Sequence, residues 1–219
     1  ALLRQRGPSP EAAHEALEQK DYEKARDLYS KLLESGSLPP ATLPELNYAL
    51  ALAEHQLTDY DGSVRHFSDA LHSGDKRLRT RAHRGLGHTL YDQGSRGLAK
   101  QPKITLQRWM DALKHFDAAL ELDPNNKELR ENREHVARML EDLRKALDEM
   151  QKQQQGNQGQ KPDQSDRAEK PADPAGAEAL YGEQCRQHQQ RDRDDGTVQL
   201  RRDDLQALHR RQHRHRRSD

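Results

Sequence analysis

Three segments of the chain repeat one pattern. "DYEKARDLYSKLL" from Asp21, "DYDGSVRHFSDAL" from Asp59 and "RWMDALKHFDAAL" from Arg108 each place an aromatic, a small residue three on, an aromatic four later and then an apolar pair. In order these are Tyr22/Ala25/Tyr29/Leu32-Leu33, Tyr60/Ser63/Phe67/Ala70-Leu71 and Trp109/Ala112/Phe116/Ala119-Leu120. Steps of three and four return side chains to one helix face, so each segment predicts a helix with a single apolar stripe. The small residue on that stripe lets a neighbouring helix approach to close-packed distance.

The neighbour is predicted just upstream. "EAAHEALEQK", "LNYALALAEHQL" and "RAHRGLGHTLYDQG" read as helices that end shortly before each aromatic, the third carrying Leu86-Gly87 and Tyr91 with Gly94 closing it. Spacing between copies is uneven: Ala25 and Ser63 are 38 positions apart, Ser63 and Ala112 are 49. The first excess is "SGSLPPATLP", rich in turn formers. The second is an insertion at about 95–107, "SRGLAKQPKITLQ", expected to form a basic loop splitting the third helix pair, with Ile104 and Leu106 docking it.

These features resemble the tetratricopeptide repeat (TPR), a unit of about 34 residues with a Leu-Gly pair and a Tyr in its first helix and Ala, Phe, Ala and Pro in its second. Phe116, Ala119 and Pro124 fit the second-helix half, and Asp123-Pro124-Asn125-Asn126 fits the family's inter-repeat turn. Ala12-Ala13 and Leu50-Ala51 stand where Leu-Gly is expected, so the first two copies are degenerate. The resemblance covers roughly residues 6 to 126. It implies an all-α fold: a TPR-type superhelix of about three helical hairpins.

After Pro124, "KELRENREHVARMLEDLRKALDEM" holds no helix breaker and spaces Leu129, Val136, Leu140, Leu143, Leu147 and Met150 on one stripe. It is expected to cap the last repeat; its later 4-3-4-3 steps also suit a short coiled-coil seam. The expected domain is 6–150. From Gln151 the chain turns Gln-rich and charged, and 151–219 is expected to be a disordered tail because too few apolar residues remain to offset chain entropy. A mean hydropathy of -1.25 for the whole chain agrees with an unfolded part.

Candidate chemistry is sparse. Lys plus Arg equals Asp plus Glu at 37 each, which excludes a whole-chain field drawing in nucleic acid or anionic lipid. No apolar run reaches the roughly 18 residues of a membrane span. No phosphate-binding Gly loop, nucleophile elbow, HExxH or paired-Cys signature occurs, so no catalytic, cofactor-binding or metal residue is assigned and the chain reads as a non-enzyme. Cys185 is the only cysteine. His209, His213 and His215 are interspersed with arginines whose charge opposes a cation. The basic end from Arg201 lacks aromatics for base stacking, so nucleic-acid binding is disfavoured. His14, His55 and His88 fall at matching first-helix positions and read as surface histidines without partners.

The resemblance implies a function. TPR arrays hold peptides or partner domains on the concave face lined by first helices, here Tyr48, Leu52, His55, Arg81, Arg84, His88 and Tyr91, a basic and aromatic groove suited to a carboxylate-bearing segment. Where some members carry a clamp Asn, this chain has His14, Leu52 and His88. From about Arg81 to Gln160 the interrupted repeat, long helix and Gln-rich linker are similar to the TPR proteins of bacterial Bat (aerotolerance) operons. That implies an exported scaffold in the periplasm or cell envelope, binding von Willebrand factor A domain proteins beside a MoxR-type ATPase. The start without methionine agrees with a removed signal peptide. The alternative expectation is a cytoplasmic adaptor or RNA-associated protein working through the basic tail.

Overall fold

The computed structural model describes residues 9–157, within one compact unit, Ala1–Lys161. Residues 1–8 and the tail from 158, with Cys185, the His209/His213/His215 group and the basic end, lie outside the described residues. Among the described residues the structure is all-helical. The helices are α1 (Pro10–Glu18), α2 (Tyr22–Glu34), α3 (Leu43–Gln56), α4 (Tyr60–Ala70), α5 (Lys76–Gly97), α6 (Pro102–Leu122) and α7 (Lys127–Asn157), with one 3-10 turn at Pro40–Thr42 before α3. Each helix packs on the next in the chain, and α3 also touches both α1 and α5. No described helix is long and apolar enough to cross a membrane.

The turns after α1 and α3 are the same object built from different residues. Lys20 donates its amide to Leu17 O and Asp21 to Ala16 O; Thr58 donates to His55 O and Asp59 to Glu54 O. These paired bonds close each helix as a Schellman motif. The residue at its centre is left-handed, φ 60° at Lys20 and 64° at Thr58. The next helix then starts on an Asp side chain: Asp21 accepts from Lys24 N and Asp59 from Gly62 N, satisfying amides that no helix carbonyl reaches.

The stripe residues are where the pattern requires them. Ala25, Ser63 and Ala112 are fully buried, as are Phe67, Phe116 and Trp109. Ser63 gains its place by donating its hydroxyl to Ala51 O at 2.9 Å, so the buried oxygen is not left unpaired. Tyr22 is half-buried. The interior then closes by aromatic rings laid on bare backbone. A Cβ at Gly85 would meet the Phe67 ring at 2.5 Å, one at Gly87 the Phe116 ring at 2.7 Å and one at Gly94 the Trp109 indole at 2.8 Å. Gly85 and Gly87 point about 200° apart around α5, at about 100° per residue, so one serves α4 and the other α6.

The 95–107 insertion is not the loop that was expected. α5 continues through Gly94 to Gly97, α6 begins at Pro102, and only Leu98 to Gln101 lie between them. The added residues lengthen both helices. Trp109 gives the reason: its indole occupies the space beside Gly94 and its Nε1 donates to Tyr91 O at 3.0 Å, while Thr105 Oγ1 donates to Gly94 O at 2.7 Å. A packed partner therefore holds this glycine in the helix. Thr105 is the inward residue of the α6 start, and Ile104 is 46% exposed.

The Pro124 turn stops α6 as expected, and Asn126 caps α7 by accepting from Leu129 N at 3.1 Å. Along α7, Leu129, Val136, Leu140 and Leu143 are buried against the preceding helices, whereas Met150 is 55% exposed. The helix persists to Asn157, past the Gln151 boundary at which disorder was expected. The strong helix formers around Gln151 carry it there.

Two outcomes test these packing arguments. A β-branched residue in the left-handed region costs about 1–2 kcal/mol, so Thr58→Gly is expected to stabilise the helical unit by about 1 kcal/mol in urea unfolding. Gly87→Ala is expected to destabilise it by about 1–2 kcal/mol, because the displaced Phe116 ring outweighs the gain in helix propensity. Gly97→Ala, whose Cβ meets only Thr105 Oγ1 at 3.7 Å, is expected to be neutral or stabilising.

Candidate protein-binding surface

Alternate helices share one side of the molecule. Arg84 Nη1 donates to Glu128 at 2.9 Å, His88 Nε2 lies 3.2 Å from Asn132 Nδ2, and Tyr91 Oη lies 3.0 Å from His135 Nε2. Each pair is 44 positions apart, so α5 and α7 run in the same direction side by side. The α3 to α5 pairing has the same sense. Arg81 lies over the Tyr48 ring, 4.4 Å from its centroid, and further along His55 Nδ1 sits 3.0 Å from Thr89 Oγ1 and its Nε2 3.4 Å from Asp92 Oδ2. α7 therefore takes the place beside α5 that α5 takes beside α3.

The seven residues expected to line a groove divide into two sets. His55, Arg81, Arg84 and His88 are half-buried and make the contacts that define this side, and Leu52 is half-buried on α3. Tyr48 and Tyr91 do not line it as expected: they are 2% and 3% exposed. Tyr48 packs on Phe67 with centroids 5.4 Å apart, and Tyr91 stacks on Trp109 at 5.3 Å. Their rings are spent on the interior because the second-helix aromatics need flat partners, which sequence periodicity does not reveal. Tyr48 acts on the surface only indirectly, by holding the Arg81 guanidinium.

Of the matching histidines, His55 and His88 have polar partners on neighbouring helices, whereas His14 Nε2 is buried without a hydrogen bond. His14 is buried with Nε2 3.2 Å from Glu18 Oε1; His55 bridges Thr89 and Asp92; His88 meets Asn132 and the edge of Phe116. A fixed helix-to-helix register brought His55 and His88 their polar neighbours, whereas Glu18 lies one turn along α1 from His14. Glu128, Asn132 and His135 of α7 join the surface, a role beyond the cap or short coiled-coil seam expected of that helix.

Asp92, His55 and Thr89 stand in the order carboxylate, imidazole, hydroxyl. The hydroxyl is fully buried, however, and donates to Gly85 O at 2.8 Å. Ser63 Oγ, at 3.2 Å, closes it off from the other side. No substrate reaches that oxygen, and the network acts as a polar tie between α3, α4 and α5.

A histidine pair, His83 on α5 and His115 on α6, meets Nδ1 to Nδ1 at 3.1 Å. Burial, then the charge of Arg79, holds His83 below the usual imidazole range, with Glu121 opposing. Burial pushes His115 down to about 4, assisted by His83 and Lys114 and opposed by Asp111. No protein-family model matches the chain, and no curated protein matches it either.

These imidazoles give a signed pH dependence. In the unfolded chain they titrate near about 6.5, so below that the unfolded state binds more protons. The stability they contribute is complete above about pH 6.5 and is lost as pH falls towards about 4. Urea midpoints are expected to drop between about pH 7 and pH 5, and His115→Asn is expected to flatten that drop.

Proposed function

We propose that the chain is a non-enzymatic protein-binding scaffold of the TPR type, a superhelix of paired helices closed by α7, with a partner segment lying across the side shared by α3, α5 and α7. The observation that carries the reading is the common register of α3 on α5 and α5 on α7, which leaves His55, Arg81, Arg84 and His88 on one half-exposed surface, with Leu52 one turn before His55. The recurring Schellman turn with an Asp start supports it, since the same geometry recurs at equivalent places in two helix pairs.

The surface is suited to a partner carboxylate. Arg84 and Glu128 form an exposed pair, their side chains 31% and 57% accessible, and such pairs contribute about 0–1 kcal/mol. An incoming acidic group displaces Glu128 at little cost, and Arg81 is already oriented by Tyr48. The partner class follows from the resemblance to Bat-operon TPR proteins: von Willebrand factor A domain proteins at the bacterial cell envelope, with a MoxR-type ATPase in the same system.

The test is the affinity of the full chain for a purified von Willebrand factor A domain protein of a Bat operon. Arg84→Glu combined with Leu52→Arg is expected to weaken binding at least tenfold, about 1.4 kcal/mol, with the far-UV spectrum unchanged. Equal affinity in the variant removes this surface from the reading.

A further inference from the structure

The apolar stripe of α7 outruns the helices it packs on. Arg133 Nε donates to Asp117 at 2.7 Å, and α6 runs antiparallel to α7 across the short turn that joins them, so Pro102 at the start of α6 comes level with about Asp148. α7 goes on to Asn157, about nine residues or roughly 14 Å past that level. Burial follows the register. Leu140 and Leu143 are 5% and 7% exposed, Leu147 is half-buried and Met150 is 55% exposed, although all four share one stripe.

The border of the open stripe is cationic. At about 100° per residue, Leu143, Met150 and Arg144 lie within about 60° of Leu147 around the helix, whereas Asp148, Glu141, Asp142 and Glu149 lie about 100° or more away. The neighbouring hairpin end adds more positive charge: no Asp or Glu occurs from Gln93 to Met110, a stretch that holds Arg96, Lys100, Lys103 and Arg108. Lys31, Lys114, Lys127 and Lys145 each sit in an ion pair, but among the described residues the exposed Lys100 and Lys103 sit in none. The α6 register brings Lys103 level with Leu147.

An open apolar stripe edged by uncompensated cations is complementary to a helix with one apolar face and carboxylates along its side. We propose that Leu147 and Met150, bordered by Lys100, Lys103 and Arg144, dock an acidic amphipathic helix of a partner protein, laid along α7 where the α5–α6 hairpin stops. Glu128, Asn132 and His135 lie nearer the start of α7, so this is a second surface, separate from the side shared by α3, α5 and α7. A second copy of α7 does not fit it. Laid antiparallel with stripe on stripe, the last turns of each α7 would run into the other copy's hairpin end.

The probe is an acetylated, amidated helical peptide of Ala and Glu with leucines at steps of three and four. It is titrated into the full chain carrying ¹³C-methyl methionine, at about 0.15 M salt. The expected result is that the Met150 methyl signal shifts and the Met110 signal does not. The affinity read from that shift is expected to fall at least about fivefold in the Lys100→Glu, Lys103→Glu double variant, and likewise for a peptide with Lys in place of Glu. A Met150 signal that does not move, or equal affinity in the double variant, overturns the docking site. Analytical ultracentrifugation of the full chain is expected to show a monomer; a dimer that Leu147→Glu dissociates would put a second copy on the stripe and overturn the partner helix.

Discussion

The contact on which the rest of the structure depends is an aromatic ring pressed against helix backbone. Phe67 from α4 and Phe116 and Trp109 from α6 lie over Gly85, Gly87 and Gly94 of α5, at distances that leave no room for a Cβ. Burying such large rings removes much apolar surface from water, and flat contact gains dispersion along the whole ring. The glycines weaken α5 as an isolated helix, by about 1 kcal/mol each relative to Ala. Packing on both sides offsets that, which is why α5 runs unbroken through all three and extends to 22 residues.

Once α4 and α6 are fixed on α5, polar groups complete the assembly. The buried hydroxyls of Ser63, Thr89 and Thr105 each donate to a backbone carbonyl, of Ala51, Gly85 and Gly94 respectively. Burial without those bonds would cost more than the helices gain from close approach. Further out, Arg84, His88 and Tyr91 meet Glu128, Asn132 and His135 one helical turn after another, so α7 is registered by polar contacts as well as by its apolar stripe. The half-exposed surface thus inherits its geometry from the interior: Tyr48 and Tyr91 are inside, and the side chains flanking them are presented in a fixed order.

Much of this was legible in the residues, for identifiable reasons. The aromatic, small, aromatic spacing located α2, α4 and the core half of α6, because a helical period of three and four admits one buried face. Pro124 marked a stop through local backbone chemistry. Gly94 misled for the same kind of reason: locally a glycine followed by "SRG" reads as an end, and only the indole of Trp109 beside it keeps the helix going. The left-handed Lys20 and Thr58 were invisible too, since neither residue type favours that conformation and the paired Schellman bonds impose it.

The sequence by itself determined that this chain builds helices in recurring pairs, about where α2 and α4 begin and which stripe of each second helix faces inward, because those properties follow from periodicity within about a dozen residues. Tertiary structure alone decided the rest. It turned the 95–107 insertion into longer helices, drew Tyr48 and Tyr91 into the core, gave His55 and His88 their neighbours and brought His83 to His115. Each of these depends on the register of one helix against another, a quantity set by the fit of whole side chains across an interface and by no single segment of the chain.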